Sequence, residues 1–332
     1  AGVYLLARFY PAFAPVPGWR DAVIAVGVIS ALLTAVMALV APDLKRVLAY
    51  STVSQLGYMV YAVGAGGVLA SQFHLFSHAI FKALLFLAAG AVIHAVGTRD
   101  MREMGGLGRH MPFTRGVFLL GALALAGLPV LNGFWSKELV LEAGLAGGPT
   151  WAFAGMLVGA GLTACYTFRM VWMVFYGTPR KAGHPHDAPS AMRFSLTLLA
   201  VGTLTSWLLA GSFGHLLEAT LPFHRLHAPG TLALVLEILE APATWLAMGV
   251  ILLGLLAWAG RERLAGPVAA CGWLAAAAGK SFGFEWANAQ VVRLTLSAAG
   301  ALRLTQPGLL NWNVLGIAGG LVILLVLLAL GA

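Results

Sequence analysis

Apolar residues run along this chain in long blocks, and polar residues collect in short interruptions between them. A membrane-crossing helix needs about 20 mostly apolar residues. Residues 20–41, 43–64, 69–97, 151–176, 192–212, 231–259 and 309–331 read as helices of that order, with 113–127 and 129–145 as shorter apolar helices. Helix breakers separate them: Pro42, Gly64 to Gly67, Gly105 to Gly108 with Pro112, Gly147-Gly148-Pro149, Gly177 with Pro179, Pro222, and Pro307 with Gly308. With the apolar run Ala1 to Ala7, the pattern predicts about nine spans. They are joined by short loops except at Pro179 to Ala191 and Leu221 to Gly230, both rich in His.

Residues 261–306 break this rhythm. Lys280, Glu285, Asn288, Gln290, Arg293, Thr295, Arg303 and Gln306 recur among Phe284, Trp286, Val291, Leu294 and Leu302, a spacing that predicts an amphipathic helix. From Phe284 to Gln306 the helix would be about 35 Å long at 1.5 Å per residue, lying along the membrane or along other helices. A further, moderately polar span is the alternative.

Composition turns the pattern into a class. Only 10% of the 332 residues are charged and 60% are apolar or aromatic, whereas soluble domains carry about 25% charge. The chain reads as an integral membrane protein. Its 20 Lys and Arg exceed 12 Asp and Glu, for a formal charge of +8. The excess forms no basic run of the kind a nucleic-acid binder shows. Lys45-Arg46, Arg180-Lys181 and Arg261-Glu262-Arg263 instead flank apolar stretches, as anchors at the cytoplasmic side do. Cys165 and Cys271 lie apart with no Cys or His at ligand spacing, which supports neither an iron–sulfur cluster nor a disulfide framework.

Charges inside the apolar blocks are the informative residues, because each costs at least about 2.5–3.5 kcal/mol at bilayer depth and persists where it has a task. In QFHLFSHAIFKALLF, His74, His78 and Lys82 recur every fourth residue and form one helical stripe, a spacing suited to a proton relay or to hydrogen bonds between helices. In GLPVLNGFWSKELVLE, Pro129 with Gly127 and Gly133 predicts a broken helix, followed by Asn132, Ser136, Lys137 and Glu138. Two readings stand for Lys137: a mid-membrane site at the break, or a helix end snorkelling to the headgroups. The run DLKRVLAYSTVSQLGYMVY places Tyr50, Ser51, Thr52, Ser54, Gln55 and Tyr58 on a helix capped by Asp43, where they either hold water or glue helices together. Arg169, in ACYTFRM, is expected to pair with an acid of a neighbouring helix. His184, His186 and Asp187 have metal-like chemistry, but Pro185 favours a solvated turn; His215, His224 and His227 are read the same way.

These residues carry a resemblance. The runs DLKRVLAYSTVSQLGYM (43–59), FHLFSHAIFKALLFLAAGAVIH (73–94), LPVLNGFWSKE (128–138) and CYTFRM (165–170) together resemble the antiporter-like membrane subunits of respiratory complex I, NADH:quinone oxidoreductase. FGFEWANAQVV (282–292) followed by a last span resembles the distal, chain L type. The resemblance implies an all-α polytopic fold: the second half of an inverted-repeat helix bundle with a broken helix, then an amphipathic lateral helix and a final anchor. On that reading residues 1–176 hold the antiporter-like core, 177–260 additional transmembrane helices, 261–308 the lateral helix and 309–332 the anchor. The family's first repeat would precede Ala1, so the chain is expected to be a C-terminal portion, and its lateral helix reads as short for the family, either because residues are absent from this sequence or because this member has a reduced helix.

The implied function is proton translocation without redox catalysis in this chain. Lys137 matches the broken-helix lysine, Glu138 its accompanying acid, and Lys82, His78 and His74 the central relay, with Arg169, Ser136, Tyr50 and Ser54 in support. No cofactor or metal is expected here; flavin and iron–sulfur clusters belong to partner subunits. The implied partners are other membrane-arm subunits, especially the adjacent antiporter-like ones, and the lipid bilayer, with no nucleic acid; the implied location is the bacterial cytoplasmic (inner) membrane. A multisubunit sodium/proton antiporter or a membrane-bound hydrogenase would share the motifs, and a purely structural clamp would need only the lateral helix.

Overall fold

The computed structural model describes residues 1–178, 185–221, 223–224, 226, 229–270, 272–305 and 310–331. The described residues are helical, with one isolated bridge between Asp43 and Asp100. They divide into two units, residues 1–279 and 280–332.

In the first unit α1 (Gly2–Phe13), α2 (Trp19–Val40), α3 (Leu44–Ala65) and α4 (Val68–Val96) follow one another up and down. Asp43 caps α3 by accepting from the Arg46 amide at 2.9 Å. Small residues let α2 and α3 meet backbone to backbone: a Cβ on Gly57 would stand 2.6 Å from the Gly27 carbonyl oxygen. The loops after α2 and α4 are tied together on one side of the bundle, by Leu44 amide to Arg99 carbonyl and Met101 amide to Pro42 carbonyl, both 2.9 Å.

Next comes the broken pair α5 (Pro112–Ala126) and α6 (Asn132–Gly147). Helix α6 starts three residues after Pro129, later than the Pro alone indicates. Gly127 (φ 86) ends α5 in the left-handed region, and Val130 adopts φ 77, a strained value for a β-branched residue. At the other end of α5, Asp187 caps the helix from a distant loop, accepting from the Phe113 and Thr114 amides and the Thr114 hydroxyl. Burial opposes its ionisation, but the Thr114 hydroxyl and the Ala188, Phe113 and Thr114 amides outweigh that and hold the carboxyl below the usual aspartate range. The Asp187 carboxylate thus serves as a helix cap.

Helix α7 (Thr150–Val171) runs on as a π-helical turn through Trp172–Tyr176, and α8 (Ser190–Thr205) passes through a 3-10 turn into α9 (Ala210–Thr220). The apolar run 231–259, expected as one helix, is two: α10 (Thr231–Glu240) and α11 (Pro242–Ala259). Pro242 has no amide hydrogen for the Ile238 carbonyl, and the Thr244 hydroxyl donates to it instead at 2.7 Å. Among the described residues, six helical segments are long and apolar enough to cross a membrane: Trp19–Val40, Val68–Val96, Thr150–Tyr176, Ser190–Thr220, Pro242–Ala259 and Leu310–Ala329. Helix α3 has the length, but its charges, hydroxyls and Gln55 keep it off that list.

The stretch 261–308, read as one lateral helix, is interrupted. It holds α12 (Ala265–Ala270), α13 (Gly272–Gly279) and α14 (Phe284–Thr305), and the last break falls where Ser281, Phe282 and Gly283 all take positive φ. Within the second unit, α14 and α15 (Leu310–Ala329) expose their large apolar side chains, Trp286, Leu294, Trp312 and Ile317 among them.

Candidate functional site

The polar stripe of α4 faces the polar face of α3 and the first turns of α6. Each of its members is at most 5% exposed: His74 1%, His78 5% and Lys82 4%. The Lys82 ammonium donates to the Leu48 carbonyl at 2.9 Å and to the Ser51 hydroxyl at 2.5 Å. It also lies 5.6 Å from the centre of the Phe86 ring. His78 stands between Lys82 and His74, its ring 6.1 Å from that of His74, with Nε2 buried and without a hydrogen-bond partner.

His74 links three helices: Nδ1 meets Ser136 Oγ of α6 at 2.9 Å, and Nε2 meets Gln55 Oε1 of α3 at 3.0 Å. Ser136 also donates to the Asn132 carbonyl at 2.9 Å, and Asn132 Nδ2 donates to the Ser77 carbonyl and the Ser206 hydroxyl. Asn132 thereby pins the start of α6 to α4 and to the turn after α8.

One residue past Ser136, Lys137 is buried (1% exposed) in the second turn after the break. Its Nζ has no hydrogen-bond partner and lies 5.3 Å from the centre of the Tyr58 ring, a cation–π distance. Glu138 is fully buried, and neither carboxylate oxygen finds a donor. Helix α6 continues for about 15 Å beyond Lys137 before it ends, so Lys137 lies near the break and not at the end of α6.

Six sequence-predicted residues are thus brought together: Lys82, His78, His74, Ser136, Lys137 and Glu138. Three are not. Ser54 donates to the Ala31 carbonyl at 3.0 Å and serves the α2–α3 contact. Tyr50 is half-buried at the edge of the apolar core. Arg169, expected to pair with an acid, instead donates to the Ala41 carbonyl at 2.9 Å; among the described residues no acid joins it. The carbonyls that end α2 supply the negative end of a helix dipole and replace the acid. Four residues outside the predicted set complete the site: Ser51, Gln55, Tyr58 and Asn132. Ser51, Gln55 and Tyr58 lie four and three residues apart on one face of α3, a period that admits Ser54 equally, so only the packing against α2 sets Ser54 apart.

Among the described residues no cluster of three His, Cys, Asp or Glu could hold a metal. His184, His227 and Cys271 lie outside the described residues. His215 pairs with Glu218 at the surface, and His224 meets the Ala7 carbonyl at 2.8 Å.

The family model described as NADH:quinone oxidoreductase/Mrp antiporter, transmembrane, matches residues 1–163. Over those residues the chain is similar to this family. All six of these buried residues fall inside the matched segment. Chain 5 of the NAD(P)H-quinone oxidoreductase of Picosynechococcus is 42% identical over 250 residues, 66% of this chain and 38% of that protein. Subunit L of the NADH-quinone oxidoreductase of Mycobacterium tuberculosis is 42% identical over 263 residues, 77% of this chain and 41% of that one. The F(420)H(2) dehydrogenase subunit L of Methanosarcina mazei is 44% identical over 220 residues, 61% of this chain and 33% of that one. The chain therefore spans well under half the length of these relatives. Among solved structures, a chain of the Mrp complex from Dietzia sp. superposes with TM-score 0.73 at 30% identity, covering 100% of this chain and 36% of that one. A chain of the archaeal membrane-bound sulfane sulfur reductase shares the fold, with TM-score 0.64 at 23% identity.

Proposed function

We propose that this chain carries protons across a membrane as part of the L-type antiporter-like subunit of a respiratory NADH:quinone oxidoreductase. The observation that carries the reading is one file of buried polar groups through α4, α3 and α6: Lys82, His78, His74, Ser136, Lys137 and Glu138. Several of their atoms have no protein partner. Each orphaned group costs about 1–3 kcal/mol when dry, so the file is a place where water completes the hydrogen bonds and protons pass. The named relatives, subunit L and chain 5 of quinone oxidoreductases, support the enzyme assigned.

In this reading the chain does no redox chemistry; flavin and iron–sulfur clusters sit in partner subunits, and the free energy arrives through adjacent antiporter-like subunits of the membrane arm. The membrane is the bacterial inner membrane. Residues 1–279 hold the relay, and residues 280–332 supply the lateral helix and anchor. Electrostatics couples the steps. Two unit charges about 8 Å apart interact by roughly 2 kcal/mol at an effective dielectric of about 20, about thirty-fold in proton affinity. Movement of charge at Lys82 therefore resets the proton affinity of the groups beyond it.

The test is proton-to-electron stoichiometry in the assembled enzyme with Lys82→Ala or Lys137→Ala in the full-length protein. Reduced pumping with assembly intact is expected; unchanged stoichiometry in both variants sinks the reading. The Dietzia Mrp structure favours a second one, the large subunit of a sodium/proton antiporter. Sodium-dependent antiport in inverted vesicles, without co-purifying redox subunits, would select it. Sodium prefers hard oxygen ligands, whereas this file is led by Lys and His.

A further inference from the structure

The file does not stop at Glu138. That carboxylate is fully buried and unpartnered, and Lys137, Thr244 and Glu142 lie within its electrostatic range. Glu142 lies one turn further along α6, at the i, i+4 spacing that puts two side chains on one face about 5–6 Å apart. It is half-buried, with Oε2 lacking a partner. Glu237, an exposed residue of α10, lies within electrostatic range of Glu142. Helix α10 is held against α6 by Ile238, packed on Phe134 and Trp135. The break at Ala241–Pro242 ends α10 within one turn of Glu237, and Thr244 on its far side faces Glu138. Exposure therefore rises step by step from Glu138 through Glu142 to Glu237.

The staircase also has a direction. Helix α6 leads from the break toward Gly147, whose carbonyl accepts from Arg20, as do those of Gly64 and Ala65; these mark one end of the bundle. The loops after α2 and α4, with Lys45, Arg46, Arg99 and Arg102, mark the opposite end, which is the cytoplasmic one by the positive-inside rule.

We propose that Glu142 and Glu237 form the exit of the proton path, carrying protons from Glu138 to the non-cytoplasmic face. The proposal rests on the relay reading above. An N–H bond of the Lys137 ammonium breaks as an O–H bond forms on Glu138, leaving an amine and a carboxylic acid. Glu138 passes that proton to the Glu142 carboxylate, directly or through one water, and returns to its ionised form. Glu142 passes it to Glu237, which releases it to bulk water.

The experiment measures proton release to the non-cytoplasmic side by the assembled complex, with full-length protein in proteoliposomes and a pH-sensitive dye. Glu142→Gln is expected to slow release about tenfold with assembly unchanged, Glu142→Asp to restore it, and Glu237→Gln to slow it several-fold. Glu218→Gln, a surface acid of α9, should leave it alone. If Glu142→Gln and Glu237→Gln release protons at the unsubstituted rate while Lys137→Ala does not, the exit is wrong and the relay stands. If Lys137→Ala also pumps normally, the relay falls and the exit with it. Should Glu142→Gln fail to assemble, the exposed Glu237→Gln decides: an unchanged rate overturns the proposal.

Discussion

His74 is the residue whose hydrogen bonds say most about how the site works. In the imidazolium form both ring nitrogens donate, to Ser136 Oγ and Gln55 Oε1, while Ser136 donates to the Asn132 carbonyl, and every bond is made. In the neutral ring one of those bonds must reverse. Either Ser136 turns its hydroxyl to the ring, or the Gln55 amide rotates to offer its NH2, which has no other partner. The site thus accepts both protonation states at the cost of one rotation. Gln55→Leu should slow proton translocation about tenfold, the scale of one lost buried hydrogen bond, whereas Gln55→Glu keeps an acceptor and should not. Initial pumping rates check this, and an unchanged rate in Gln55→Leu removes Gln55 from the route. The two lysines differ in their surroundings. Lys82 has two acceptors, while Lys137 has only the Tyr58 face and neighbouring Glu138.

At the scale of elements, the α5–α6 break decides where Lys137 sits. Pro129, Gly127 and Gly133 made a broken helix legible, yet the start of α6 at Asn132 follows from contacts the local sequence does not contain. Asn132 reaches Ser77 and Ser206, 55 and 74 residues away. Gly133 lets the two half-helices close on each other: a Cβ there would stand 2.0 Å from the Ala124 carbonyl oxygen, with no flexible side chain to give way. Gly133→Val should therefore cost about 1–3 kcal/mol or more through overpacking and lower the detergent-solubilised Tm; a Tm at the unsubstituted value refutes this account of the break. The α10–α11 break went unread because its flanks are apolar, and one Pro within a long apolar run is equally compatible with a kinked span.

For the whole molecule, sidedness follows from the distribution of charge. Lys45 belongs to the basic end and Asp21 to the end where Arg20 binds the carbonyls of α3 and α6. In a background lacking native cysteines, a membrane-impermeant maleimide should label Asp21→Cys from outside intact cells and Lys45→Cys only after permeabilisation; the reverse pattern inverts the direction assigned to the exit. The fold class, the membrane-spanning character and the order of the helices were all readable from the apolar blocks. The division after Gly279 was not, because Ser281 to Gly283 take positive φ inside a segment whose side chains still alternate as a helix would.

The sequence by itself determined that the protein lives in a bilayer and which few ionisable residues enter it, because the cost of apolar area in water and of charge in hydrocarbon depends on composition along the chain. It also placed His74, His78 and Lys82 on one stripe, since helical period is local. Only the tertiary structure decided what that stripe meets. The rotation of α3 about its axis chose Ser51, Gln55 and Tyr58 over Tyr50 and Ser54, and the packing of α10 on α6 brought Glu237 from a distant part of the chain within electrostatic range of Glu142. Those choices depend on which helix packs against which, and side chains far apart in sequence come together only when the bundle closes.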